Sequence, residues 1–382
     1  MTVLGHTLLE KFGLEPGTHL NHAGYGAMPL VLRATQNAIR ARMEANPTRF
    51  FRHELGPRLR EAASVLAPFV GTAADRLGFV TNATEGVNAV LNGLRFAPGD
   101  VLLTTDHVYG AVRHTMRHIS ARWGAAVVEA PVAMPVANDK AVLAAVEAAW
   151  SDRVRILVVD HVVSASAVVF PVAALVRFAH ARGVPVLVDG AHAPGMLDLD
   201  IDAIGADWYV GNCHKWLCSP KGAGFIAVAP GAPEIHPTVI SHAYGQGFVA
   251  EFDKTGTRDP SAALCVPDAI AFHQALGDAA LRARNAELAR AQAAMLARAF
   301  NTHLGADPEM FGAIATVRMP DAQADWALAQ RASQALWDRH RISVPFMAVG
   351  GGLWLRISAF AYNDESDYVA LPEAVRDVLH EA

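Results

Sequence analysis

Val186-Leu-Val-Asp-Gly-Ala-His-Ala-Pro-Gly195 and Gly211-Asn-Cys-His-Lys-Trp216 are the two stretches on which the reading of the fold turns. The first is an apolar strand that ends in Asp189. The second follows another apolar run, Asp207-Trp-Tyr-Val-Gly211, and leads into His214-Lys215. Side by side in a parallel sheet, two such strands bring a carboxylate and a lysine to one crevice at their carboxyl ends. Taken singly, Asp189 also reads as a helix cap and Lys215 as a solvated charge. Lys221 is a rival nucleophile, but it sits in the loop beyond the strand end, so Lys215 is preferred. Cys213 reads as a small apolar filler.

Working outward, Arg155-Ile-Leu-Val-Val-Asp-His-Val-Val163 is a nearly continuous β-branched and leucine run, as a strand covered on both faces requires. Its exit, Ser164 to Pro171, leads into a helix expected over Val172 to Arg182, and then into Val184-Pro-Val-Leu-Val-Asp189. This strand-helix-strand alternation predicts a doubly wound α/β domain with a large, mostly parallel sheet and its ligand at the strand ends. Upstream, Leu77 to Thr81 is a short β-rich run that breaks at Asn82-Ala83-Thr84, where an amphipathic helix carrying Val87, Val90 and Leu91 begins. Such a helix start can bind phosphate, and the Thr84 hydroxyl adds a donor; a plain cap accounts for Asn82 and Thr84 equally well. Asp100 to Tyr109 is the next strand and its exit loop. Downstream, Cys218 to Ala229 is a glycine-rich turn and a strand of antiparallel character. Thr255-Gly-Thr-Arg-Asp-Pro260 is turn-rich, and long helical sequence starts at Ser261. Short strands at Ala313 to Met319, Ile342 to Phe346 and Leu353 to Ser358 alternate with helices, which predicts a smaller C-terminal α+β domain. The Gly- and Pro-rich segment Leu14 to Pro29 is expected to be irregular chain laid over a domain surface, followed by a helix from Leu30 to Glu44.

Composition narrows the function. The chain has 382 residues, 52% of them hydrophobic and 18% charged, enough to bury the cores of two domains. A net charge of -5 without any dense Lys/Arg run argues against nucleic acid or an anionic membrane surface as partners. Three cysteines make neither a disulfide framework nor a CxxC pair, no apolar run reaches membrane-spanning length, and Met1 to Gly13 lacks a signal-peptide core. A cytoplasmic protein is expected.

A lysine amine that can form a Schiff base, facing an aspartate that can hold a pyridine nitrogen protonated, is the minimum that pyridoxal 5′-phosphate requires. With these motifs, the chain from Asn21 to Asn363 resembles the class V aminotransferase family of fold type I pyridoxal phosphate enzymes, in its isopenicillin N epimerase-like branch. The resemblance implies an N-terminal segment 1–15 packed on the small domain, a large cofactor domain 16–258 and a small domain 259–382. It implies that the cofactor phosphate rests on Asn82, Ala83, Thr84 and His214, that Ser164 lies near the phenolic oxygen, and that His192 lies beside the ring. His107 is in the register of a histidine stacked on the ring, with Tyr109 competing for that place. Arg356, costly in an apolar strand without an anion, matches the position that grips the substrate α-carboxylate, a structural salt bridge being the alternative. Asn21 and Arg49 match an opening that lines the substrate entrance, unless they belong to a solvated surface loop. Gly256 and Thr257 match a turn that reaches the partner's phosphate, which implies a homodimer with shared sites, or else they form a plain turn. No metal is expected.

The reaction implied is loss of the α-proton of an amino-acid substrate to Lys215. Epimerisation, transamination and β-elimination then differ in where the proton or a leaving group goes. His107 or Tyr109 could supply the acid on the opposite face. A desulfurase is disfavoured because no cysteine lies between His340 and Arg356; a C–S lyase stays open. A binding or regulatory protein without turnover is the reading of another class, and the complete set Asp189, Lys215 and Arg356 argues against it.

Overall fold

The computed structural model describes residues 4–380; Met1 to Val3 of the N-terminal segment and the last two residues lie outside them. Seven strands form the main sheet: β1 (Leu77–Val80), β2 (Val101–Thr105), β3 (Ala126–Ala130), β4 (Val154–Asp160), β5 (Val186–Gly190), β6 (Trp208–Asn212) and β7 (Gly224–Val228). Their order is β1-β7-β6-β5-β4-β2-β3. The pairs from β6 to β3 are parallel, and β7 alone runs against its neighbours β6 and β1. This is the α/β architecture expected, with the reversed strand where the sequence after Cys218 suggested it.

Alternation of side chains along the strands builds two cores. Leu157, Val159, Val186, Val188 and Tyr209 point to one face, where helices Leu55–Phe69, Asp139–Ala148 and Val172–His180 cover them. Ile156, Val158, Leu187, Trp208 and Val210 point to the other, under helices Ala83–Gly93 and Gly110–Trp123. With a period of two, Asp160, Asp189 and Asn212, the polar residues at the strand ends, fall on this second face. They therefore meet the two helix N-termini that start beside them, and that coincidence makes the site.

The smaller sheet comprises β8 (Ile314–Gln323), β9 (Phe346–Val349) and β10 (Gly352–Ser358), antiparallel in the order β9-β10-β8. Helices Ala279–Ala299, Trp326–His340 and Leu371–His380 accompany it. The segment expected to be surface loop is different in kind. Thr18–His19 pairs in parallel with Ile342–Ser343, the Ser358 amide donates to Leu20 O at 2.8 Å, and a single helical turn follows at His22–Tyr25. Leu20, His22 and Ala23 are buried. The backbone groups of a buried segment need partners, and β10 and Ile342–Ser343 provide them.

Candidate active site

β5 delivers Asp189 and, at its exit, His192; β6 delivers Asn212 and, at its exit, His214 and Lys215. A cavity of about 320 Å³ opens where these exits meet, within the rough 300–1,000 Å³ range of small-molecule sites. Lys215 Nζ donates to His192 Nε2 at 3.0 Å. The lysine backbone is held from the other side: His22 lies flat on Phe360, with ring centroids 3.7 Å apart, and its Nε2 bonds Lys215 O at 3.1 Å while Nδ1 meets Tyr362 Oη at 3.0 Å. Close by, Gly26 adopts φ 70°, and a Cβ there would come within 2.1 Å of His214 O. Only glycine lets this turn press onto the lysine loop. Lys221 Nζ donates to Gly26 O at 2.6 Å, so the second lysine of the cavity wall is a latch on this turn.

Burial sets the charges. It pulls the Lys215 ammonium down to about 8, helped by the Arg356 charge and opposed by Asp189 and Asp160. It holds His192 far below its usual range and His214 down at about 4, so both imidazoles are neutral. Burial also raises Asp189, against the Ala191 amide, which donates to its Oδ1 at 2.9 Å, and against Lys215.

At the other end, Asn82 caps helix Ala83–Gly93, its side chain accepting from the Glu85 amide at 2.9 Å. The Ala83 amide donates to Asn212 Oδ1 at 2.8 Å. Thr84, between these two paired amides, lines the cavity. β7 comes so near that a Cβ on Gly224 would lie 2.8 Å from Asn82 Cα.

Arg356 is 4% exposed in the middle of β10. Its Nη1 donates to the carbonyl and hydroxyl oxygens of Ser164 and its Nη2 to Asn21 Oδ1 at 3.0 Å, while Nε has no partner. Among the described residues no carboxylate pairs with it. Burial alone draws this guanidinium down to about 10. A buried cation with only neutral acceptors keeps unspent capacity for an anion, and the structural salt bridge weighed as the alternative is not formed among the described residues.

Of the residues expected from sequence, Asn82, Ala83, Thr84 and Tyr109 line the cavity, as do Ser164, Asp189, His192, His214 and Lys215. Asn21 and Arg356 join it through Ser164. His107 does not line it: its ring is buried away from the cavity, with Nε2 on Val132 O at 2.9 Å and Nδ1 on Ser166 Oγ at 3.0 Å. Both nitrogens are spent on structure, and Tyr109 occupies the cavity wall instead. Arg49 is at the surface, 3.1 Å from Glu54 Oε1. Gly256 and Thr257 are exposed beside Arg258, whose guanidinium lies 3.8 Å from Glu85 Oε1. Asp160, Asn212 and His22 carry weight in the site without having been assigned a part in it, and Lys221, weighed from sequence as a rival nucleophile, is a latch instead; Asn212 and Asp160 stand inside the quoted Gly211–Trp216 and Arg155–Val163 stretches, and His22 needed tertiary contacts to be found.

The donor set fits pyridoxal 5′-phosphate. Asp189 suits the ring nitrogen, His192, bonded to Lys215 through Nε2, keeps a buried Nδ1 without a partner, and the Asn82 turn offers an anion the start of a helix and the Thr84 hydroxyl. Comparison with known proteins agrees. The model of a family described as aminotransferase class-V matches residues 27–367. The isopenicillin N epimerase of Streptomyces clavuligerus is 36% identical over 377 residues, 94% of each chain. A putative L-cysteine desulfhydrase 1 of Oryza sativa subsp. japonica is 33% identical over 94% of this chain and 83% of that protein. A solved complex between the cystine C–S lyase C-DES and its reaction product cysteine persulfide shares the fold, with TM-score 0.79 and 23% identity over 96% of this chain and 98% of that one.

Proposed function

Because the chain belongs to the class V aminotransferase family, whose cofactor is pyridoxal phosphate, we propose that it epimerises the α-carbon of an amino acid or amino-acid-derived substrate. The observation that carries this reading is the buried, counter-ion-free Arg356, tied through Ser164 to the cavity that holds Lys215 and Asp189. Bound there, pyridoxal phosphate supplies an electron-withdrawing ring that acidifies the bond to be broken. The chain's own residues do the rest. Arg356, its fork fixed by Asn21 and Ser164, grips the α-carboxylate. Lys215, largely neutral above pH 8, takes the α-proton, and His192 accepts a hydrogen bond from its amine. Asp189 holds the proton on the ring nitrogen. Tyr109, reaching the cavity from the start of a different helix than the lysine loop, returns a proton from the opposite side; it is a half-exposed phenol, protonated at neutral pH, and partial burial raises it further. Asn82, Thr84, His214 and the Ala83 amide region hold the phosphate.

The test is incubation of the cofactor-loaded protein with single enantiomers of amino acids in D₂O. Appearance of the other enantiomer with deuterium at the α-carbon is expected; keto acid without inversion across the panel would overturn the assignment. The second reading, a C–S lyase, is favoured by the desulfhydrase relatives and by the cysteines. Cys213 and Cys218 are fully buried, and burial pushes both thiols well up, so sulfur would depart without a thiolate acceptor; release of sulfide from L-cysteine, or of cysteine persulfide from L-cystine, each with pyruvate and ammonia, tests it. A homodimer in the cytoplasm is part of the proposal. Exposed Val239, Ile240 and Tyr244 support the dimer, and sedimentation measures it.

A further inference from the structure

Asp160 takes no part in the reading above, yet strand register puts it against the residue on which that reading depends. In the parallel ladder of β4 and β5 it is the direct partner of Asp189. Residues paired this way point to the same face with their backbones about 4.8 Å apart, and both side chains line the same cavity. Asp160 is 3% exposed and Asp189 4%. Among the described residues neither forms a salt bridge, and Asp160 Oδ2 meets no donor. Two desolvated carboxylates at such a spacing cannot both ionise without a large penalty, and a pair of this kind holds one proton between them.

We propose that Asp160 and Asp189 share one proton across the β4–β5 ladder, and that Asp160, as its neutral holder, is a positioning residue that leaves the charge on Asp189 for the cofactor's ring nitrogen.

The surroundings agree. Burial, then the charge of Asp189, raise Asp160; the Tyr109 amide, the Lys215 ammonium and the Arg113 guanidinium oppose this and are the smaller effects. The Asp189 charge also bears on the phenols of Tyr109 and Tyr209, both raised first by burial; His192, which burial keeps neutral, lines the same cavity, and the Arg356 charge bears on Lys215. One negative charge on the pair matches the one ammonium of Lys215. A protonated Asp160 has the free oxygen, Oδ2, on which to carry the hydrogen. The part played toward the ring nitrogen rests on the cavity being a pyridoxal phosphate site; the shared proton does not.

The experiment compares wild type, Asp160→Asn and Asp160→Val. In the cofactor-free protein at pH 7, infrared difference spectra of wild type minus Asp160→Asn are expected to contain a protonated-carboxyl carbonyl band. The pH midpoint for covalent labelling of Lys215 is expected to be the same in wild type and Asp160→Asn, because a carboxamide replaces a neutral acid and not a charge. Pyridoxal phosphate affinity is expected to stay within about threefold in Asp160→Asn, whose amide can still donate to Asp189, and to fall at least tenfold in Asp160→Val, which cannot. No infrared band, or a labelling midpoint in Asp160→Asn displaced downward as loss of a neighbouring anion requires, would overturn the proposal. Failure of wild type itself to bind pyridoxal phosphate would instead overturn the cofactor reading, and the infrared result would still decide where the proton lies.

Discussion

Replacing Lys215 with methionine removes the amine and leaves a chain of similar length and shape, and the protein should become more stable for it. In the folded protein the ammonium is drawn down to about 8 from 10.5, chiefly by burial. Between these values the unfolded chain binds more protons at this residue than the folded one, so its contribution to stability rises with pH through the window and is complete only above the unfolded value. A shift of that size corresponds to about 3 kcal/mol at pH 7 and shrinks to about 1 kcal/mol at pH 10. The first figure is an upper one, since the amine opens onto the cavity and is partly screened. Urea unfolding of cofactor-free wild type and Lys215→Met at pH 7, 8, 9 and 10 reads this directly, provided the slopes agree. The variant should lead at pH 7, with the gap closing steadily as pH rises. A gap that is the same at every pH would refute the argument that burial keeps this amine poised to lose its proton.

Arg356→Gln should lower kcat/KM for carboxylate-bearing substrates by roughly 100-fold, a charge-assisted pair being worth about 3 kcal/mol, and should leave the reaction of the corresponding decarboxylated amines unchanged. His107→Phe strands Val132 O and Ser166 Oγ and should cost about 1–3 kcal/mol of stability with little effect on cofactor affinity, whereas Tyr109→Phe should reduce inversion and spare stability; calorimetry and a racemisation assay separate the two. Asn212→Leu removes the acceptor of the Ala83 amide and should weaken pyridoxal phosphate binding by about tenfold, measured by equilibrium dialysis. Gly26→Ala, strained at φ 70° and 2.1 Å from His214 O, should unseat the turn over the lysine loop and speed modification of Lys215 by an amine-reactive probe.

The strands that carry the site were legible because each is short, apolar and ended by a functional residue: β5 by Asp189, β6 by the His214-Lys215 turn. The helix start proposed to hold the phosphate was legible as a turn because a cap and the first helical residue are consecutive. His107 and Tyr109 could not be separated in the same way. They lie two residues apart in a chain that turns between Thr105 and Gly110, where the Val108 amide donates to Thr105 O at 3.1 Å, and tertiary partners, Val132 O and Ser166 Oγ for His107, separate the two rings. Asp160 reads as the last residue of an apolar strand; its pairing with Asp189 is a matter of register between strands 29 positions apart, which no local pattern encodes. The segment around Asn21 and His22 reads as loop because its partners are remote in sequence: Lys215 and Lys221 about 190 positions on, and residues from Ser343 to Tyr362 in the last sixth of the chain.

That last feature bears on the order in which the protein can come into being. His22 and Tyr362 are 340 positions apart, so on a ribosome adding about 5–20 residues per second the early segment waits roughly 20–70 s for the strand that receives it. Lys215 is made partway through that interval, and for the roughly 7–30 s between its own synthesis and that of Tyr362 it lacks the settled His22 and Gly26 cover, although its own sheet is already synthesised. The reactive amine is thus enclosed last, by the joining of the two ends of the chain, and a nascent chain cut short before β10 would carry it open to any aldehyde in its surroundings.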